Sequence, residues 1–252
     1  TIPTDDNFIK ETMEIAEKWG ADAIRDCDGF KLPKEIKDLA KKVYSTYFVA
    51  RGDNAWAEKN LEELQQTYLM TKHHLATSDT LSINIMEGYF DQQVKPDNYH
   101  DIKEFWEVID RTTNEVVNLD DWTYNEETQE VIIKNITPWH EYTVSFLAYC
   151  IWDPTQMYNH ITNNWGDKPH DLPFDARKPK TNKYIFEAMH KWLDEHPEAD
   201  VIRFTTFFYH FTLVFNDKAK EKFVDWFGYS SSVSAEALRD FEKSKGYKLR
   251  AE

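Results

Sequence analysis

The run Val201-Ile-Arg-Phe-Thr-Thr-Phe-Phe-Tyr-His-Phe-Thr-Leu-Val-Phe215 sets one cation, Arg203, in an apolar stretch. Thr205, Thr206, Tyr209 and His210 add hydrogen-bonding groups without charge. Burying a guanidinium costs several kcal/mol unless anions or lone pairs converge on it. Within four residues of Arg203 the chain offers one carboxylate, Asp200, so the arginine is read as held for a partner or a substrate. Sugars suit such a place, because rings pack on aromatic faces while hydroxyls engage polar groups. His210 reads more simply as a core hydrogen-bonding group than as a base.

Other positions invite the same question. Arg25 precedes Asp26 and Asp28; it either pairs with Asp28 or faces a ligand. In Trp152-Asp-Pro-Thr-Gln-Met-Tyr-Asn159 a carboxylate is followed by an amide, and together they could hold two hydroxyls of one sugar. Asp153 is equally suited to cap a helix with Pro154 at its first position. Asn159 and Asn164 are neutral-to-poor helix formers, which favours a binding role for one of them. Trp226 is either core or a platform for a sugar ring. Arg51-Gly-Asp53 reads as a solvated turn at a strand exit, and His73-His74 has no metal-ligand spacing.

The elements that would carry these residues alternate. Phe8 to Trp19 has helical spacing and Gly20 closes it. A short strand at Ala21–Arg25, a helix at Glu35–Tyr44, a strand at Tyr47–Ala50 and a helix at Ala55–Met70 follow. Between about 81 and 137 the pattern becomes alternating strands, with hairpin turns at Thr112–Glu115 and Asn125–Thr128. An apolar strand at Tyr142–Trp152 then resumes the alternation, followed by helices at about 155–164, 181–195, 218–227 and 235–245 and the strand Ala199–Tyr209. Strands followed by helices, with apolar strand interiors, imply an α/β fold with a parallel sheet. In barrels of this kind the C-terminal strand ends carry function; Arg25, Asp26, Arg51, Asp53, Asp153, Asn159 and Arg203 would gather there.

The totals exclude several classes. With 7 glycines in 252 residues and no GxGxxG or GxxxxGK, glycine-rich phosphate loops fall away. A net charge of -15 disfavours nucleic acid or an anionic membrane as partner. Cys27 and Cys150 form no CxxC, so a reducing cytoplasm is the simplest home. No stretch has membrane-spanning length and no signal peptide is visible. The aromatic share of 15% can fill a core or line sugar subsites. The ends at Thr1 and Glu252 read as cut.

Four segments together, Ala21–Gly29, Trp152–Asn159, Arg203–Phe215 and Asp225–Ser230, resemble the family of inverting galactosyl phosphorylases, over the whole chain and in order. The resemblance implies that residues 1–252 are the N-terminal portion of a (β/α)8 TIM-type barrel, cut short, with an antiparallel β insertion at about 81–137. It implies that Arg25, Asn159 and Arg203 line the pocket of the acceptor sugar, with Asp153 and Trp226 near the galactose. It places the catalytic acid, an aspartate, beyond Glu252, so no residue here is assigned that role. The implied reaction is cleavage of galacto-N-biose or lacto-N-biose by inorganic phosphate, giving α-galactose 1-phosphate and the N-acetylhexosamine. Phosphate is the co-substrate; no cofactor and no metal are expected, and a homodimer is compatible with this reading.

The chemistry suits an anionic nucleophile. A hydrolase must activate water with a base, whereas phosphate is already charged at neutral pH. One acid, cations to collect phosphate and a hydroxyl-reading pocket then suffice. Within the same family a galactosyl-rhamnose phosphorylase is the alternative. From other classes, a retaining β-galactosidase-like hydrolase and a non-catalytic galactoside-binding module stay open. Dependence on added phosphate separates phosphorylase from hydrolase, and binding without turnover marks the module.

Overall fold

A computed structural model describes residues 1–4, 6–26, 31–153, 156–157, 160, 165–205, 212–215, 221–225 and 233–250. Its strands and helices begin with β1 (Ile2–Thr4), α1 (Ile9–Trp19), β2 (Ala23–Asp26), α2 (Lys34–Leu39), β3 (Lys42–Phe48) and α3 (Asn54–Ala57). Next come β4 (Gln66–Met70), β5 (His74–Leu75), β6 (Thr80–Asn84), β7 (Val94–Pro96), α4 (Ile102–Phe105), β8 (Glu107–Asp110) and β9 (Glu115–Val116). Then follow β10 (Trp122–Asn125), β11 (Glu130–Lys134), β12 (Glu141–Cys150) and α5 (Pro179–Glu195). The last are β13 (Val201–Thr205), β14 (Thr212–Phe215), β15 (Glu221–Asp225) and α6 (Ala235–Lys245).

The chain divides into two units, the first comprising Thr1–Gly52 and Ala176–Phe208. Its four strands lie in the order β1-β2-β3-β13, and every pairing is parallel. No closed barrel is present among the described residues. Alternation along the strands sorts side chains onto two faces. Ile24 and Val43 project to one face and meet Ala16, Leu32 and Ile36 from α1 and its surroundings, forming a buried apolar cluster. Gly20 ends α1 in the left-handed region, φ 60°, and its N–H reaches the carbonyls of Ala16 and Glu17. Tyr47, on the same face, packs its ring 5.3 Å from Trp192 of α5 and 6.3 Å from Phe204. Lys37–Glu198, at 3.0 Å, joins α2 to the chain after α5.

The second unit comprises Asp53–Asp175 and Tyr209–Glu252. Here β12 is central, pairing antiparallel with β4, β5, β7 and β8. A second sheet, β10-β11-β6, is also antiparallel. Ile83, Trp122, Val131 and Ile133 of that sheet share one core with Val108, Val144 and Phe146 of the first. Trp106 sits between them, its ring 4.7 Å from Tyr124 and 5.6 Å from Phe146. Burying such apolar area, at about 25 cal/mol per Å², is what holds this unit together.

Several expected elements differ. The helix read over Ala55–Met70 is one turn of α3, a 3-10 turn at Leu61–Glu63 and strand β4. Leu61, Leu64 and Tyr68 mimic helical spacing, but pairing with β12 overrides the local pattern. Helix α2 stops at Leu39 and β3 begins at Lys42, because Val43, Tyr44, Thr46 and Tyr47 favour strand. Antiparallel pairing reaches from Gln66 to Cys150, so β12, read as a strand of the parallel sheet, belongs to the other unit. Of the strand read over Ala199–Tyr209 the described part is β13, and the helix read over 218–227 contains β15, which pairs with β14.

Candidate functional site

The parallel sheet has a second face. Arg25 lies opposite Tyr44, Val201 is likewise opposite Tyr44, and Arg203 is opposite Thr46. Residues in register, and those two apart on one strand, point the same way. Arg25, Tyr44, Thr46 and Arg203 therefore share the face opposite the Ile24–Val43 cluster. Two strand spacings and two residues along the strand separate the arginine Cα atoms, about 12 Å, which two extended side chains can bridge. Among the described residues neither guanidinium forms a hydrogen bond or an ion pair. Asp200, the carboxylate nearest Arg203 in sequence, accepts from the Val43 N–H at 2.8 Å. Asp26, buried beside Arg25, accepts from the Thr46 N–H at 2.7 Å. Both carboxylates thus fasten strands together, and among the described residues neither pairs with an arginine. Asp28, the alternative partner of Arg25, lies outside the described residues.

Arg51 corrects an expectation. It is 8% exposed, and its guanidinium carbon stands 3.8 Å from the centre of the Phe48 ring. The turn it begins is not a solvated one at this residue; a flat cation stacks on an aromatic face. Asp53 caps α3, accepting from the Trp56 N–H at 2.9 Å.

Asp153 belongs to the second unit, at 3% exposure. Its Oδ1 accepts from the Gln156 N–H at 2.9 Å and its carbonyl from the Met157 N–H at 2.9 Å. This is the capping geometry. Trp152 stacks flat on His170, centroids 3.5 Å apart, and His160 meets the same pair edge-on at 5.3 and 5.4 Å. Burial, then the neighbouring His160, holds His170 below the usual histidine range, so a neutral imidazole pairs with the indole. Burial also pushes the Cys150 thiol up to about 12, with Asp153 adding to the effect; it is an inert core sulfur. Asn159 and Trp226, with Thr206, Tyr209, His210 and Thr155, lie outside the described residues.

Composition and spacing gave no hint of three neighbours of these residues: Tyr44 and Thr46, which share the arginine face, and Gln156, whose backbone N–H is capped by Asp153 and whose side chain holds Trp152. Strand register is needed to see the first two. Gln156 sat inside the Trp152–Asn159 motif, between the residues that drew attention.

No helix among the described residues is long and apolar enough to cross a membrane. Residues 1–252 match the family model described as the lacto-N-biose phosphorylase N-terminal TIM barrel domain. A 1,3-beta-galactosyl-N-acetylhexosamine phosphorylase of Lachnoclostridium phytofermentans is 57% identical over 253 residues, covering 100% of this chain and 35% of the relative. A 1,3-beta-galactosyl-N-acetylhexosamine phosphorylase of Bifidobacterium longum subsp. longum is 50% identical over 252 residues, with 100% and 34% covered. A D-galactosyl-beta-1->4-L-rhamnose phosphorylase of L. phytofermentans is 42% identical over 254 residues, with 100% and 35% covered. The chain spans about a third of the length of these curated relatives. With the parallel strands, and a match from the first residue to the last, the chain belongs to the lacto-N-biose phosphorylase N-terminal TIM barrel family.

Proposed function

We propose that the protein carrying this chain cleaves β-1,3-galactosyl-N-acetylhexosamine disaccharides with inorganic phosphate, inverting the anomeric centre. A phosphate oxygen bonds to the galactose anomeric carbon as the glycosidic C–O bond breaks, and an acid protonates the departing oxygen. The products are α-galactose 1-phosphate and the N-acetylhexosamine. A single in-line displacement turns the β linkage into an α ester, and no water-activating base is needed. The acid is placed downstream of Glu252. Within this chain Arg25, Arg203 and Asn159 are assigned to the acceptor sugar and its surroundings, with Asp153 and Trp226 beside the galactose.

One observation supports this reading above the others: two arginines without partners among the described residues share one face of the parallel sheet. Fixed, planar donors suit the oxygens of sugar and phosphate. The names of the relatives favour an N-acetylhexosamine acceptor, since those at 50% and 57% identity carry it and the rhamnose phosphorylase stands at 42%. The buried thiol of Cys150 and the net charge of -15 agree with a cytoplasmic protein acting on small molecules.

The test is to incubate the full-length protein with lacto-N-biose and with galactosyl-β-1,4-rhamnose, with and without phosphate, and to identify the products. Galactose 1-phosphate formed from lacto-N-biose only when phosphate is present is the expected result. Free galactose without phosphate would make it a hydrolase, and preference for the rhamnoside would move it to the other branch.

A further inference from the structure

We infer that Gln156 is a positioning residue for substrate binding: its side-chain amide locks the segment carrying Asp153 to the chain at Pro169–Asp171. The inference rests on the reading above, in which Asp153 lies beside the galactose.

Gln156 is 4% exposed, and its amide is spent on three contacts. Its Oε1 accepts from the Trp152 indole N–H at 3.1 Å and from the Asp171 N–H at 2.6 Å. Its Nε2 donates to the Pro169 carbonyl at 2.9 Å. The backbone closes the same junction, the Asp153 N–H donating to the Asp171 carbonyl at 2.8 Å. From the far side Asn54 holds the same strip: its Nδ2 donates to the His170 carbonyl at 2.7 Å, and its Oδ1 accepts from the Leu172 N–H at 2.9 Å. The strip continues along the unit, with Gln65 N–H on the Pro173 carbonyl and Asp175 N–H on the Glu63 carbonyl.

The consequence is geometric. Asp153 is held by its own N–H and by its carboxylate, and Gln156 is the residue common to both restraints, through its backbone N–H in one and through its side-chain hold on Asp171 in the other. It supplies the N–H that the carboxylate caps, and the amide that fixes Trp152 and residue 171. A buried amide with its bonds satisfied by fixed backbone groups has one orientation, since leaving any of them unmade costs free energy. A small misplacement of a binding group suffices to weaken recognition of one substrate strongly. Cap chemistry alone would need only the Gln156 backbone; the three side-chain contacts serve placement of the Trp152–Asp153 corner.

The experiment compares Gln156→Met, Trp152→Phe and Asp153→Asn in the full-length protein, measuring KM for lacto-N-biose and for phosphate separately, with melting temperature alongside. Met keeps the volume and removes the three amide contacts, so we expect the disaccharide KM to rise about tenfold, with the phosphate KM within twofold. Trp152→Phe keeps an aromatic ring over His170 and removes only the indole donor; a rise of about threefold is expected. An unchanged disaccharide KM in Gln156→Met, or a rise in both KM values together, overturns the positioning role. If Gln156→Met fails to fold, Trp152→Phe decides, and an unchanged disaccharide KM there overturns it. A raised disaccharide KM in Asp153→Asn alone would sink the Gln156 role and leave the site reading intact. Unchanged values in both Asp153→Asn and Gln156→Met would sink the site reading as well.

Discussion

The two units solve the burial problem in opposite ways. In the antiparallel unit the most deeply buried charge network is built around one carboxylate that is paired on several sides. Asp97, 1% exposed, is pushed up by burial, yet hydrogen bonds from the His100 ring and from the N–H groups of Tyr99 and His100 hold it below the usual carboxylate range. The His100 Nδ1 is 2.7 Å from that carboxylate and its Nε2 is 3.7 Å from Glu236 of α6. Gln66 joins in, donating to Asp97 at 2.5 Å and accepting from the Ala235 N–H at 3.0 Å. In the parallel unit Asp26 and Asp200 are spent on backbone N–H groups, while two guanidiniums on the face opposite the apolar cluster have no partner among the described residues. Fully satisfied networks specify structure; groups held in reserve are what a binding site needs.

Substitutions at four positions probe that contrast, and the largest effect should come from the two arginines. Arg203→Ala in the full-length protein should lower kcat/KM for phosphorolysis roughly 10²–10³-fold, the scale of losing a preorganised donor, with little change in melting temperature. Arg203→Lys should recover only a part, because an ammonium lacks the planar fork. A folded alanine variant with unaltered kinetics would erase the distinction between the units.

Next in size is Trp106→Ala, which should destabilise the antiparallel unit by about 3–5 kcal/mol. Faster hydrogen exchange at the β8 and β12 amides, with β2 and β3 less affected, would be the signature. Uniform loss across both units would show that they unfold as one body.

The pH dependence is the third. Hydrogen bonds first with Asp97 and then with Glu236 raise His100 from 6.5 to about 9, against the opposing effect of burial. A raised histidine contributes stability fully below its unfolded value, and the contribution is lost as pH rises through the folded one. His100→Gln should therefore lower the melting temperature most near pH 6, with the gap to the unsubstituted protein closing by about pH 9 to 10. A gap independent of pH would remove the charged histidine from the network. The smallest effect is expected for Arg239→Ala. It breaks a two-pronged contact with Glu104 at 2.9 and 2.7 Å, but the arginine is 49% exposed, so about 1 kcal/mol or less is at stake.

Much of the parallel unit was legible in the sequence. The helix Ile9–Trp19 with its closing Gly20, the strand carrying Arg25 and the helix Pro179–Glu195 all carry local signals that agree with their packing. The antiparallel unit was harder because its order is non-local. Leu61 to Leu69 has a helix-like spacing, and only the pairing of Gln66–Met70 with Ser145–Tyr149 decides for strand. An apolar run such as Tyr142–Cys150 looks the same in either sheet type, since burial on both faces erases the alternation. At the site, the arginines stood out because cations in apolar surroundings are rare. Tyr44, Thr46 and Gln156 did not, because their residue types are ordinary and their placement depends on register or on a distant carbonyl.

The shared register of β2, β3 and β13 also sets where this chain can tolerate changes in length. One residue added to or removed from β13 ahead of Arg203 would turn that side chain over. The guanidinium would then face the Tyr47–Trp192 side, against rings and helix rather than toward Arg25. Insertions and deletions should therefore be confined to the connections between strands, and an alignment gap within Val201–Arg203 of any relative would mark a protein that has given up this pair of cations.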